Sequence, residues 1–289
     1  MKKVSLILAI VFGLFVIAQA QTETTPANGS GDCLTSKKGC KILPESGDYA
    51  IGIDATPIFN LIGNLTKINS GTTFTDPSSF NFMDGTNSIY AKYYVDESTA
   101  YRGKIRIMVN NTKDVEFVND VTSTSIPPLQ VKDVESNFST GIVLGGGLEK
   151  RKGKTRLQGF YGGEALIFYS SNSTKYTYGN ALSPTNPVRA NVFDPAMNGV
   201  ISNKSGKTFG IGARAFAGVE YFFTPKIALG GEFGWGINFL ATGKGVQESE
   251  EWNFADGDVK KTTTETAGGS MLDIDTDNFG GSIYLIFHF

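Results

Sequence analysis

Histidine and cysteine are scarce in this sequence of 289 residues, which contains one histidine and two cysteines, and charged residues make up only 19% of it. A single histidine leaves little scope for histidine-based acid–base catalysis or for a histidine-rich metal site. Beyond the first twenty residues, no apolar run approaches the roughly 18 to 20 residues of a membrane-spanning helix. The formal net charge is −2, so the chain lacks the basic excess of a nucleic-acid-binding protein, and no nucleic acid partner is expected.

The first twenty residues have the pattern of an export signal. Lys2 and Lys3 precede an apolar run over residues 4–18, and the Ala18-Gln19-Ala20 triplet has the small residues typical of a cleavage site. Residues 1–20 are therefore predicted to be a signal peptide, and the mature chain is expected to act outside the cytoplasm.

The two cysteines, Cys33 and Cys40, lie in a segment rich in Ser, Gly and Thr that follows the signal, within residues 21–46. Their spacing favours a small disulfide loop in an oxidising compartment, and two thiols are too few for a structural metal site. A lipid anchor at Cys33 is the alternative, but the preceding Gly31-Asp32 lacks the small, apolar lipidation pattern.

Apolar and polar residues alternate with a period of two from residue 47 onward, which indicates β-strands. One face of each run is apolar, and the other carries glycine and most of the charged residues. Eight such runs can be recognised, at residues 48–58, 88–95, 100–109, 138–149, 156–170, 208–221 and 226–240, and in a last run that ends at Phe289. Residues 47–289 are therefore predicted to form one all-β domain.

The connections between these runs alternate between long and short. The segments 60–87, 110–137, 171–207 and 241–277 are long and polar, whereas the others are turns of a few residues. An antiparallel barrel with an even number of strands has this asymmetry between its two ends. The sequence thus predicts an eight-stranded antiparallel up-and-down β-barrel with four long loops at one end and both termini at the other.

Alternation alone does not say which face lies inside, because a soluble barrel of the lipocalin kind has its apolar face inside. Two features favour an apolar exterior and a transmembrane barrel. Glycine is frequent on the polar face, which suits a narrow lumen shared with Arg and Glu side chains. Aromatic residues collect at both ends of the apolar face, for example Tyr49 and Tyr101 at one end and Phe138 and Phe209 at the other, as in interfacial girdles.

The C-terminal residues Leu285, Phe287 and Phe289 resemble the signal by which outer-membrane proteins are recognised for barrel assembly. From Gly47 onward, the chain resembles the small eight-stranded outer-membrane β-barrels of the OmpA, OmpX and OmpW types, often described as porin-family proteins. The resemblance implies a bacterial outer-membrane location, short periplasmic turns, extracellular long loops and periplasmic termini. It also implies contact with outer-membrane lipid and lipopolysaccharide, with the barrel-assembly machinery and with other outer-membrane proteins.

The polar face gathers charges of both signs in near balance. A narrow lumen solvates charges poorly, so we expect them to form a network of ion pairs that fills the barrel. A solute path lined by the same groups is the alternative. Strand register predicts two of the pairs, Arg214 with Glu232 and Glu149 with Arg156. The predicted lumen residues are Asp54, Lys92, Arg102, Lys104, Arg106, Glu149, Arg156, Glu164, Arg214, Glu220 and Glu232.

No pattern in the sequence indicates a catalytic site or a cofactor, and His288 is expected to be a solvated residue at the periplasmic rim. Asp273, Asp275 and Asp277 have the spacing of the first ligands of a calcium loop, but Asn278 and Tyr284 stand where that loop requires Gly and Glu. A solvated acidic loop is therefore expected there rather than a metal centre, with a loose cation site as the alternative. The first functional hypothesis is a non-enzymatic outer-membrane barrel with structural, adhesive or partner-binding loops, as a candidate subunit of a larger envelope complex. The alternative is a narrow porin-like transporter of small or apolar solutes. A hydrolase in the lumen or at the rim is a third hypothesis.

Overall fold

The computed structural model of the chain describes residues 34–36, 39, 41–55, 88–276 and 282–289, and β-strands supply nearly all of the regular structure there. The predicted signal peptide, Cys33, Cys40 and the segment 60–87 lie outside the described residues. Within these residues, no helix is long and apolar enough to cross a membrane.

The described residues contain twelve strands and one short 3₁₀ turn at Pro195–Met197. The strands are β1 (Tyr49–Asp54), β2 (Ile89–Asp96), β3 (Thr99–Asn119), β4 (Gln130–Lys152), β5 (Leu157–Thr177), β6 (Val200–Lys204), β7 (Thr208–Thr224), β8 (Ile227–Thr242), β9 (Gly245–Asn253), β10 (Asp258–Thr266), β11 (Gly269–Thr276) and β12 (Ser282–His288). All of their pairings are antiparallel, and the predicted all-β, antiparallel architecture is confirmed.

Eight of the strands form a closed ring in the order β1, β2, β3, β4, β5, β7, β8, β12 and back to β1. The seam pairs Ile51 with Phe287, near the two ends of the chain. One end of the ring, here called the turn end, has the short connections 97–98, 153–156 and 225–226. The opposite end is called the loop end.

Regular structure extends further than the alternating pattern predicts. The β3–β4 ladder continues out to Asn119 paired with Gln130, and four additional strands form from the segments 171–207 and 241–277, which the sequence suggested were loops. The part of the sheet beyond the ring, residues 110–137, 171–207 and 245–266, is called the projection. All nine residues of β10 are exposed. A strand with water on both faces needs no apolar alternation, which explains why the sequence pattern missed β10.

The faces of the ring are inverted relative to those of a soluble barrel. Large apolar side chains point outward and are exposed, while the charged and amide side chains of the same strands are buried inside. The outward residues include Tyr49, Ile51, Ile89, Tyr101, Ile107, Leu144, Leu157, Tyr161, Ile167, Phe209, Val219, Tyr221, Phe233, Trp235 and Ile283.

The segment before β1 covers the turn end. Ile42 is only 1% exposed and belongs to the same apolar cluster as Tyr94, Phe222 and Ile286. The backbone N–H of Lys226, in the turn between β7 and β8, donates to the Ile42 carbonyl at 3.2 Å. The turn end is therefore packed with side chains rather than open.

Candidate functional site in the lumen

Eight buried charged residues meet inside the ring, four basic and four acidic, and each is no more than 5% exposed. They are Lys92, Arg102, Glu149, Arg151, Glu164, Arg214, Glu220 and Glu232, which come from six of the eight ring strands. Glycine on the same inner face makes room for them. A Cβ added at Gly147 would lie 2.2 Å from the Gly163 carbonyl oxygen and 2.7 Å from the Glu164 Cβ. The glycine-rich polar face of the sequence thus reflects the limited space inside the ring.

Four of these residues form a cluster near the turn end, here called the turn-end quartet: Lys92, Glu149, Arg151 and Glu220. The Lys92 ammonium lies 2.7 Å from a Glu149 carboxylate oxygen and 2.6 Å from a Glu220 oxygen. Arg151 bridges the same two carboxylates, at 2.8 Å and 2.5 Å. The Tyr284 hydroxyl also donates to Glu220, at 2.8 Å. Each carboxylate is therefore shared by two cations.

The other four residues form the mid-lumen quartet: Arg102, Glu164, Arg214 and Glu232. Arg102 donates two parallel hydrogen bonds to Glu232, at 2.7 and 2.9 Å, and its Nε lies 3.2 Å from Glu164. Arg214 joins the same two carboxylates, at 3.2 Å to Glu164 and 2.8 Å to Glu232. A longer contact of 3.7 Å between Arg102 and Glu149 connects the two quartets.

Aromatic rings fill the space around the cations. The Arg102 guanidinium lies 4.1 Å from the centre of the Phe216 ring, and the Lys92 ammonium lies 4.8 Å from the centre of the Phe160 ring. Cations over aromatic faces are attracted to the negative π-face, most strongly where water is excluded. The rings therefore add stabilisation to the network and occlude the lumen.

Three of the predicted lumen residues lie toward the loop end. Asp54 is buried where β1 ends. The Lys104 ammonium lies 5.5 Å from the centre of the Tyr90 ring, and Arg106 is half-buried with a nitrogen 3.8 Å from the sulfur of Met108.

The predicted pair of Glu149 with Arg156 is wrong. Because β5 begins at Leu157, Arg156 lies in the turn, and its guanidinium donates to the carbonyls of Phe222 and Phe223 at 2.9 and 3.2 Å. Arg151 takes its place beside Glu149. The alternation contained this signal, since Arg151 follows Glu149 by two residues and β4 continues to Lys152.

His288 also departs from the sequence prediction, because it is 4% exposed rather than solvated. Its Nε2 lies 2.9 Å from the Tyr94 hydroxyl, and its Nδ1 lies 3.2 Å from the Lys226 carbonyl oxygen. Arg151 donates to the same hydroxyl at 3.2 Å. A ring with both nitrogens engaged acts here as a packing element of the turn end.

The chemistry of the site follows from its equal number of positive and negative charges. Each of the four carboxylates of the quartets is paired with cations, so none of these four is free to act as a general base or nucleophile. In the part of the chain that the structure describes, no cluster of His, Cys, Asp and Glu is placed to hold a metal ion. The arrangement is suited to filling and stiffening the ring.

The sequence and the structure were compared with those of known proteins. No protein-family model matches the sequence, and no curated protein matches it. Among solved structures, the outer membrane protein OprG from Pseudomonas aeruginosa is similar, at 10% identity and a TM-score of 0.32, over 86% of this chain and 98% of that one. A similarity at this level does not assign the chain to a family.

Proposed function

We propose that this chain is a non-enzymatic integral β-barrel protein of the bacterial outer membrane, with its lumen closed by the two quartets. The observation that carries the proposal is the inverted ring, in which apolar side chains face outward and paired charges face inward. Apolar surface in water costs about 25 cal/mol per Å². A band of this kind encircling the ring would be strongly unfavourable in water and stable in lipid.

The closed lumen follows from packing and charge together. Tyr94, Phe222 and Ile42 fill the turn end, and the quartets with Phe160 and Phe216 fill the middle. An eight-stranded ring has an interior about wide enough for side chains alone. A permeating ion would have to separate charges that are held at 2.5 to 3.2 Å inside each quartet.

The projection is the proposed site of structural, adhesive or partner-binding contacts outside the cell, including contacts within a larger envelope complex. It is a folded unit with its own small core. The Tyr178 hydroxyl donates to the Val200 carbonyl at 2.7 Å, and Arg189 pairs with Glu250 at 2.5 Å. Burial raises the pKa of Tyr178 to about 12. A preformed surface of this kind binds a partner with little loss of conformational entropy.

A narrow porin-like transporter is the second candidate function. Asn238 favours it, because this side chain on β8 is 1% exposed and neither polar atom of its amide has a hydrogen-bond partner within the described residues. Buried amides normally bind a protein group or an ordered molecule. A small polar solute above the mid-lumen quartet would satisfy this amide.

Two measurements test the proposal. The purified protein is expected to require detergent and to migrate differently on a gel before and after heating; a monomer soluble in water would contradict the membrane assignment. In a planar bilayer, the unmodified protein is expected to show little steady conductance. The variant Glu164→Ala with Arg214→Ala, which removes one ion of each sign from the mid-lumen quartet, is expected to show openings. A large stable conductance of the unmodified protein would favour the transporter.

A further inference from the structure

A groove on the outside of the molecule lies where the projection leaves the ring. It has a volume of about 580 Å³ and is lined by the segments 204–209 and 241–246, between the end of β6 and the start of β7 and between β8 and β9. Phe209 and Ala241, which pair across β7 and β8, form part of its wall. Phe209 is exposed and belongs to the outward apolar face of the ring.

Lysine side chains dominate the polar part of this groove. Lys204, Lys207 and Lys244 all line it, and all are exposed. Within the described residues, no ion pair involves Lys204 or Lys207, although the charge of Lys204 acts on the Glu248 carboxylate, and Lys244 pairs with Glu265 at 2.6 Å with both side chains exposed. Exposed pairs of this type contribute little and exchange readily. The groove therefore presents net positive charge at the edge of an apolar surface.

The backbone holds the two lysine-bearing segments together. The Gly243 N–H donates to the Lys207 carbonyl at 2.9 Å. The two backbone segments lie so close together that a Cβ at Gly206 would be 1.9 Å from the Gly243 carbonyl oxygen. Only glycine fits this crossing without a shift of the backbone. The lysines are thus carried on a fixed frame rather than on independent loops.

We propose that this groove binds the phosphorylated headgroup of an outer-leaflet glycolipid, with the lysines on the phosphate and the acyl chains along the outward face of β7 and β8. The inference rests on the proposed membrane location. Lysine is a strong point-charge partner for phosphate, and basic residues near an anionic lipid surface are attracted to it. Phe209 and Ile237 lie outward on the same two strands, where acyl chains would run.

The test measures lipid binding by the intact protein in neutral detergent micelles, with lipid A as the probe and native mass spectrometry as the readout. The triple variant Lys204→Gln, Lys207→Gln, Lys244→Gln is expected to bind lipid A at least tenfold more weakly than the unmodified protein. Dephosphorylated lipid A is expected to bind the unmodified protein at the weak level of the variant. Equal binding of lipid A by the variant and the unmodified protein would overturn the proposal, as would equal binding of the dephosphorylated lipid.

A matched control removes the same number of charges elsewhere. Lys113→Gln, Lys175→Gln, Lys260→Gln alters three exposed lysines of the projection that are scattered over β3, β5 and β10. This variant is expected to bind lipid A like the unmodified protein, and a comparable loss would show that net charge, not the groove, attracts the lipid. Competition by millimolar inorganic phosphate as effective as that by lipid A would assign the groove to a free anion and overturn the lipid proposal.

Flotation with liposomes separates this proposal from the membrane assignment. The groove variant is expected to float with liposomes like the unmodified protein, since it leaves the apolar band intact. If neither protein floats, the membrane assignment fails. If both float and both bind lipid A equally, only the groove proposal fails.

Discussion

The ring and the projection are built from continuous strands, yet they arrange polar and apolar residues in opposite ways. In the ring, β3 and β5 bury Arg102 and Glu164 and expose Tyr101 and Ile167. Further along the same sheet, β10 exposes every residue. Backbone pairing is antiparallel in both regions, so the difference lies in the side chains: the ring exposes apolar groups and buries charges, whereas the exposed residues of β10 are polar apart from Val259. The antiparallel pairing sets the architecture of both regions, and the side chains alone decide which surface is apolar and which is polar.

The largest expected difference between the two regions concerns assembly. Replacing Phe287 and Phe289 with Asp places one carboxylate near the end of β12 and another just after it. Both changes lie next to the seam with β1. We expect this variant to be lost from the outer-membrane fraction, because it removes the predicted assembly signal together with apolar side chains at the rim. Asp256→Ala in the projection is the control and is expected to accumulate normally. Equal amounts of both variants in the membrane would contradict the assembly-signal interpretation.

Removing one buried charge is expected to have the next largest effect. Glu232→Gln leaves both Arg102 and Arg214 with one carboxylate fewer, and breaking a buried pair in this way costs about 3 to 5 kcal/mol. The free energy of unfolding, measured by urea titration in lipid vesicles, checks this. The matched change in the projection, Glu248→Gln, removes an exposed ion pair and is expected to lower it only slightly.

A double variant distinguishes charge balance from simple loss of packing. Arg214→Leu with Glu232→Leu removes one ion of each sign and leaves Arg102 paired with Glu164. We expect it to be more stable than Glu232→Gln alone, because no unpaired charge remains. A double variant that is less stable than the single one would indicate that shape, rather than ion pairing, governs the network.

A charge on the outer face of the ring is expected to have a moderate effect. Phe233 points outward from the middle of β8, and Phe233→Arg should cost about 2 to 4 kcal/mol if this surface faces the middle of a bilayer. Thr262→Arg, on the exposed β10, is expected to be neutral. Identical unfolding midpoints for the two variants in lipid vesicles would argue against a lipid-facing band.

The smallest effect is expected at the exposed ion pair between Lys261 and Glu248, whose atoms lie 2.8 Å apart. The hydrogen bond from Lys261 lowers the pKa of the Glu248 carboxyl. A carboxyl with a lowered pKa stabilises the folded state above its unfolded pKa, and this contribution is lost as the pH falls through the folded value. Lys261→Gln should therefore weaken the acid dependence of the β9–β10 hairpin, seen by hydrogen exchange, most clearly at low salt.

The sequence predicts the ring better than the projection for a physical reason. Strands with an apolar outer face and a crowded lumen on the other side must alternate, and the predicted run 208–221 differs from β7 by only three residues, at its C-terminal end. A strand with water on both faces, such as β10, carries no such constraint, so the alternation predicts a loop there. Within the lumen, the two-residue alternation correctly places Arg214 and Glu232 on the inner face. The positions of Arg151 and Arg156, which lie nearest the turn, depend instead on where β4 ends and β5 begins.

The seam between β1 and β12 has a consequence for biogenesis. Because Ile51 pairs with Phe287, the ring cannot close until β12 has formed. Until then β1 and the latest strand to form both present unpaired backbone edges, which are templates for pairing with other chains. Contacts between distant parts of a chain also form slowly. The pairing of β12 with both β1 and β8 thus closes two open edges of the ring in a single step.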